Sequence, residues 1–168
     1  TIALVSVIKP IWFYGLEPLA AQLLPPKEGR LRKIAFAHLA QPGVKAVAET
    51  QQPDDELGRL SRAIPLWFAE TFYFSPSYAP VAALGLINQP QTQGAARHAV
   101  FSAEWTPENF RQLVETSGEG LDYIVSGALR VASGDYEIVL RIWDVKTFRE
   151  RKVFNARWTI DGSAQPQS

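Results

Sequence analysis

The sequence contains no cysteine and no methionine among its 168 residues. Without cysteine, the chain can form no disulfide, offer no thiolate ligand to a metal and use no cysteine nucleophile. Reducing and oxidising compartments are both compatible with that absence. Because an initiator methionine is also missing, we expect the chain to be a processed or excised part of a longer product.

An excess of charge of one sign is lacking too, since 17 Lys and Arg are balanced by 17 Asp and Glu. Binding to a phosphate backbone requires a basic face. The longest basic cluster, "GRLRK" at 29–33, directly precedes an apolar run. We interpret this cluster as solvated residues leading into a strand, with anion binding as the alternative. From the charge balance, we expect no nucleic-acid partner.

Long apolar runs are absent, although a membrane-spanning helix needs roughly 20 consecutive apolar residues. The N-terminal run "TIALVSVIKPIW" is interrupted by Lys9 and Pro10. We therefore expect no integral membrane segment. The run is interpreted as a buried first strand, with a membrane-proximal remnant as the alternative.

Three stretches are interpreted as helices from their apolar patterns and their end signals. The longest begins near Asp54 or Asp55, and an interior proline predicts a kink or a restart at Pro65 because it removes a backbone donor. Another begins where Thr106 caps a first turn that contains Pro107. The three segments are 11–29, ended by Pro25 and Pro26; 54 onward, with Leu57, Leu60, Ile64 and Trp67 or Phe68 on one face; and 106–118, with Phe110, Leu113 and Val114 inward.

Strands are predicted at 31–40, 80–87 and 98–105, and three more follow closely at 121–132, 136–145 and 151–160. Strict alternation in "YEIVLRIWDV" indicates a sheet with one covered face and one partly exposed face. Short turns between the last three strands predict an antiparallel meander. The predicted fold class is α/β (α+β), with a mixed sheet of about five strands, this C-terminal meander and helices packed mainly on one face.

Composition divides the chain into three predicted parts. Residues 1–30 form an N-terminal extension packed on or leading into the domain, and residues 31–160 form the α/β domain. Residues 161–168, "DGSAQPQS", have the composition of a flexible tail or linker before another domain. The polar loop 88–97 is predicted to be the most mobile segment.

The strands "LDYIVSGALRV", "YEIVLRIWDVKT" and "ERKVFNARWT" resemble the C-terminal half of the TolB amino-terminal-like domain family. The likeness spans about 31–160 and is clearest over 121–158. It implies a small α/β domain that binds or assembles with other proteins and is generally not enzymatic. Such domains occur in bacterial envelope proteins or beside cyclase and tetratricopeptide-repeat regions. The resemblance therefore implies a periplasmic or envelope location. If signalling or repeat domains are attached, it implies a cytoplasmic location instead. The matching residues are Asp122, Tyr123 and Gly127 in the strand, Asp144 and Thr147 in the turn, and Trp158 as the closing aromatic.

Motifs for catalysis and metal binding are missing from the sequence. His38 and His98, the two histidines, border or lie in apolar strands and are interpreted as structural. The triplet 54–56, of two aspartates and a glutamate, is interpreted as a helix cap rather than as a cation site. There is no HExxH motif, no GxSxG elbow and no phosphate-binding loop. We therefore expect no catalytic residue, no metal and no cofactor.

Aromatic residues are the better candidates for a functional site. The stretches "IWFYG" at 11–15 and "LWFAETFYFSPSY" at 66–78 hold more aromatic surface than one helix face buries. A core position is predicted for Trp67, Phe68 and Phe72. The predicted partner-binding residues are Trp12, Tyr73, Phe74 and Tyr78.

Three functional classes follow from these observations. The preferred one is a non-catalytic protein-interaction or assembly module within a larger bacterial envelope or signalling protein. A small-molecule sensor is the alternative and would need a closed apolar cavity between helix and sheet. A small enzyme would need carboxylates such as Glu104, Glu108 or Asp122 to converge in a cleft.

Overall fold

The computed structural model describes residues 2–43, 56–87, 97–117 and 120–159. Its strands are β1 (Ile2–Val7), β2 (Arg32–Ala37), β3 (Tyr78–Ile87), β4 (Arg97–His98), β5 (Leu121–Ala132), β6 (Asp135–Asp144) and β7 (Arg149–Thr159). Its helices are α1 (Glu17–Leu23), α2 (Glu56–Tyr73) and α3 (Pro107–Ser117), and a 3₁₀ turn (Ile11–Gly15) precedes α1.

A single mixed sheet forms the centre of the molecule, with the strand order β1-β3-β2-β5-β6-β7 and the short β4 beside β3. The central strand β2 is parallel to both of its neighbours, β3 and β5. Strands β5, β6 and β7 are antiparallel in sequence order. The predicted α+β class, mixed sheet and C-terminal meander are therefore confirmed.

Alternate residues of β2 point to the two faces of the sheet and define two cores. Ile34 and Phe36 pack against α2. Ala35 and Ala37 pack on the other face, with Phe110 of α3 and with Trp105. Both faces are covered at the central strands, as expected for a parallel pair with apolar residues in both directions.

Helix α2 is continuous through Pro65, so the predicted restart is wrong. A proline has no N–H to donate to the carbonyl four residues earlier, here that of Ser61. That carbonyl instead accepts the backbone N–H of Leu39 at 3.1 Å. The segment that follows β2 thus gives this carbonyl the donor that the proline lacks.

The N-terminal segment differs from the prediction in two respects. β1 is a strand, but it lies at the edge of the sheet and leaves Val5 exposed, so the predicted burial is wrong for this residue. The predicted helix over 11–29 is instead a 3₁₀ turn and a seven-residue helix, separated by Leu16 with φ −129° and ψ 28°. Those angles are outside the helical region, so the two turns cannot join.

The predicted strand 98–105 is only partly present, since β4 ends at His98. The chain leaves the sheet there because Phe101 and Trp105 pack beneath α3. The backbone N–H of Gln41 donates to the carbonyl of Phe101 at 2.6 Å and holds this segment in place. The proposed caps Asp54 and Asp55, nearly all of the loop 88–97 and the tail 161–168 lie outside the described residues.

Gly127 in β5 permits the close approach of β6. A Cβ atom at this position would overlap the carbonyl oxygen of Val139. Gly127→Ala is therefore expected to lower the free energy of unfolding by about 3 kcal/mol, because the two strands must separate. Urea unfolding followed by circular dichroism measures the change.

Gly15→Ala is the matched control for this substitution. A Cβ atom at Gly15 meets nothing within 4 Å. Its free energy of unfolding should stay within about 0.5 kcal/mol of the wild type. Equal stability of the two variants would contradict the close-approach argument.

Candidate partner-binding surface

Two large aromatic side chains are exposed near the C-terminal end of helix α2. Trp67 is 61% exposed, and Phe74, which directly follows the helix, is 43% exposed. Phe74 lies in the turn directly after α2, where its N–H donates to the carbonyl of Thr71 at 3.2 Å. We call Trp67, Tyr73 and Phe74 the aromatic surface.

The predicted core position of Trp67 is wrong. The inward positions of α2 near it are taken by Phe68, Ala69 and Phe72. Phe68 and Phe72 lie 5.6 and 5.2 Å from Phe36, measured between ring centroids, so their predicted core role is confirmed. Trp67 only rests its ring edgewise on Phe68.

The predicted binding residues do not all lie on this surface. Tyr73 is half-buried, and its ring meets that of Phe13 edgewise at 6.5 Å between centroids. The ring of Tyr78 packs against Phe72 in the core. The side chain of Trp12 lies outside what the structure describes. Tyr73 and Phe74 thus remain together as candidates, and the structure adds Trp67.

Lys27 holds the end of α2, and sequence reasoning missed it. Its ammonium group donates to the carbonyl oxygens of Tyr73, Ser75 and Tyr78 at 2.9, 2.7 and 2.8 Å. A cation at a helix C-terminus satisfies the last carbonyls and opposes the negative end of the dipole. Partial desolvation lowers the pKa of Lys27 below its usual range. This side chain fixes the turn that carries Phe74.

The N-terminal segment adds apolar surface beside α2. Residues 7–10 line a small cavity with Leu66, Ala69, Glu70 and Tyr73 of α2. Its volume of about 30 Å³ gives room for only about two water molecules. Beyond β1, the exposed apolar residues of the N-terminal segment are Ile8, Tyr14, Leu16, Leu19 and Leu23.

No described helix combines the length and apolar character that crossing a membrane requires.

A buried polar cluster joins His38, Gln41 and Ser61. The backbone N–H of Gly85 donates to Nδ1 of His38 at 3.1 Å, so the neutral imidazole carries its proton on Nε2. Nε2 lies 3.3 Å from Oγ of Ser61, which itself donates to the carbonyl of Gly58 at 2.6 Å. The serine proton is therefore directed away from the imidazole, the opposite of a Ser–His nucleophile. His38 has the structural position that its sequence context predicts.

The carboxylates considered for catalysis belong to three separate ion pairs. Glu104 accepts a hydrogen bond from Nε of Arg141 at 2.9 Å, and this bond, followed by one to Glu150, raises the pKa of Arg141. The other two pairs are Glu108 with Arg111 at 3.2 Å and Asp122 with Arg30 at 3.5 Å. Among the described residues, no three His, Cys, Asp or Glu side chains form a group that could hold a metal ion.

An open, charged groove lies where β2 and β5 begin. Its volume is about 370 Å³. Three cations and two carboxylates line it, and both carboxylates already accept backbone N–H groups, from Lys33 and Lys146 respectively. The basic cluster at 29–33 therefore contributes to a mixed, largely compensated surface. The lining residues are Arg30, Arg32, Asp122, Tyr123, Asp144 and Lys146.

Comparisons with known proteins find similarity only at the level of structure. No family model and no curated protein matches the chain. Its structure is similar to TolB from Acinetobacter baumannii, with 10% identity over 92% of this chain and a TM-score of 0.37. The chain covers only 25% of that TolB chain. The structure is also similar to the LpoB C-terminal domain from Salmonella enterica, with 8% identity over 89% of this chain and 98% of that chain and a TM-score of 0.37. A further similar structure is the PelC dodecamer from Paraburkholderia phytofirmans, with 11% identity over 95% of this chain and 82% of that chain and a TM-score of 0.40.

Removing the Lys27 ammonium tests its role at the end of α2. Lys27→Met keeps much of the side-chain volume but leaves three carbonyls without their donor. We expect the free energy of unfolding to fall by about 1–2 kcal/mol. Backbone amide exchange at residues 74–78 should accelerate. Denaturant titration and hydrogen exchange measure the two effects.

Lys146→Met is the matched control, since the side chain of Lys146 is also exposed and lines the charged groove instead. Its unfolding free energy and the exchange at 74–78 should match the wild type. If both methionine variants behaved alike, the role of the Lys27 ammonium at the end of α2 would be refuted.

Proposed function

We propose that the chain is a non-catalytic protein-interaction or assembly module that binds its partner through the aromatic surface. The observation that carries this proposal is the exposure of Trp67 on α2 and of Phe74 in the turn that follows it. Tryptophan is among the residues that contribute most when buried at interfaces. Burying the surface that these rings still expose would be favourable by about 25 cal/mol per Å² of apolar area.

Several contacts favour a binding role over catalysis. Each candidate carboxylate pairs with a different arginine, and Arg141 is shared between Glu104 and Glu150, so the described residues do not bring Glu104, Glu108 and Asp122 into one cleft. The buried serine and histidine satisfy each other and the backbone.

The small-molecule sensor is less well supported. Drug-sized ligands occupy cavities of about 300 Å³ or more with mostly apolar walls. The apolar cavity beside α2 has a tenth of that volume, about 30 Å³. The larger groove is open and lined by charged residues. Neither is the closed apolar chamber that a sensor of this class would need.

We further propose that residues 31–160 are a TolB amino-terminal-like domain in a larger bacterial envelope protein. Two residues that match the family pattern, Gly127 and Asp144, have structural roles here, and these roles support the proposal. Gly127 admits β6, and Asp144 accepts the N–H of Lys146 in the turn that follows β6. Fractionation of cells that express the full-length product tests the location, and recovery in the cytosol alone would contradict it.

Site-specific photocrosslinking tests the aromatic surface. A photoreactive phenylalanine is placed at position 67 or 74 of the full-length product in its native cells. Both positions should yield the same crosslinked protein, because both belong to the aromatic surface at the C-terminal end of α2. In a direct binding assay with that protein, Trp67→Ala/Phe74→Ala should raise the Kd at least about tenfold.

The same crosslinker at Arg59 is the control. Arg59 is also exposed on α2 but lies about two turns before Trp67. A protein captured equally from positions 59, 67 and 74, or an unchanged Kd for the double variant, would rule out the aromatic surface as the binding site.

A further inference from the structure

Strand β7 has an outer edge that no described strand pairs with. It is the last strand of the sheet order and pairs only with β6. It spans 11 residues and contains no proline, and its pairing with β6 is regular except for one extra residue, Arg151, between Glu150 and Lys152. A long edge strand presents unpaired N–H and C=O groups that can accept another strand. At the opposite edge, β1 is shorter, with 6 residues.

The side chains of β7 divide this edge into two halves. Phe154 is 44% exposed and Ala156 is also exposed, on the face that carries Leu140 and Ile138 of β6. Trp158 continues this face and stacks against Tyr136. The half that begins at Phe154 therefore offers apolar contacts to an added strand.

The other half is basic. Arg149, Arg151 and Lys152 lie there with a single carboxylate, Glu150, which is hydrogen-bonded to Arg141. Arg151 has only a distant ion pair, 3.6 Å, with Asp144. The ammonium group of Lys152 lies over the ring of Phe154 and not against a carboxylate. Positive charge thus remains available at this end of the strand.

We propose that the outer edge of β7 binds an extended, acidic segment of a protein partner as an added strand. Its acidic residues would lie opposite Arg149–Lys152 and its apolar residues opposite Phe154–Trp158. Main-chain hydrogen bonds would supply affinity, and these two groups of side chains would supply specificity and direction.

A second copy of the chain fits this edge poorly. In an antiparallel pair centred on Phe154, residues 151 and 152 of one copy would face residues 157 and 156 of the other. The only charge at those positions is the cation of Arg157, which already pairs with Asp135 at 2.7 Å. Arg151 of one copy would then face Arg157 of the other, and Asp135 and Glu137 are already paired with Arg157 and offer no free carboxylate to Arg151, which disfavours self-pairing in this register.

This inference deepens the proposed function, because the partner is again a protein, but it uses a different surface. A designed ten-residue peptide tests it directly. Valine and threonine alternate in its N-terminal half, and valine and glutamate alternate in its C-terminal half. A matched peptide has lysine in place of each glutamate. Backbone amide shifts and hydrogen exchange of the labelled protein are recorded with each peptide.

The acidic peptide should slow exchange of the outward amides of β7 at least about tenfold. Arg151→Gln/Lys152→Gln should raise its Kd about threefold to tenfold, with a weaker salt dependence than the wild type. Trp67→Ala/Phe74→Ala should leave peptide binding unchanged, so failure of the aromatic surface and failure of the β7 edge are distinguished. Equal binding of the lysine peptide, or shifts confined to α2 or β1, would overturn the proposal.

Proline substitutions test the main-chain contacts. Successive N–H groups of a strand point to opposite edges, so one of Asn155→Pro and Ala156→Pro removes an outward N–H while the other breaks the pairing to β6. Thermal unfolding identifies the variant that keeps the wild-type fold. That variant should bind the acidic peptide at least about tenfold more weakly. Wild-type affinity in that variant, or self-association of the wild type through β7, would refute the added strand.

Discussion

The hydrogen bond from the N–H of Leu39 to the carbonyl of Ser61 ties helix α2 to the central strand. It exists because Pro65 leaves that carbonyl without a helical donor. The hydroxyl of the same serine meets the imidazole of His38 and the amide of Gln41, at 3.3 Å each. All of these groups are buried, where an unpaired polar atom costs about 1–3 kcal/mol. The helix cannot rotate or slide without breaking several of these contacts together.

This attachment sets how close α2 lies to the sheet and which side of it faces water. The buried residues of the helix are mostly small: Gly58, Ser61, Pro65 and Ala69. The ring positions between α2 and the sheet are taken by Phe68 and Phe72, which pack against Phe36. Trp67 is therefore on the outside for a structural reason, which differs from the chance exposure of a single apolar residue. The aromatic surface is a consequence of the same contacts that hold the core.

Local patterns in the sequence predict α2, α3 and the C-terminal strands, but not the break at Leu16, the short β4 or these contacts. Alternation over 121–160 identified the meander, and the capping residue Thr106 identified the start of α3, because both signals act between near neighbours. The consequence of Pro65 depended on Leu39, which lies on another element and leaves no local signal. For the same reason Trp67 was assigned to the core, since its spacing fits either side of a helix whose rotation is unknown. Lys27 was missed because its three acceptors are backbone carbonyls more than forty residues away.

The aromatic surface and the outer edge of β7 are both already ordered in the protein, and this order matters for binding. A loop residue such as Phe74 would ordinarily lose conformational entropy on meeting a partner. Lys27 removes part of that cost by fixing the carbonyls on both sides of the turn. Strand β7 is held in an extended conformation by its pairing with β6 from Asp135 to Asp144. Because the same sheet supports both, a partner could occupy either surface without rearranging the core, and binding at one need not strain the other.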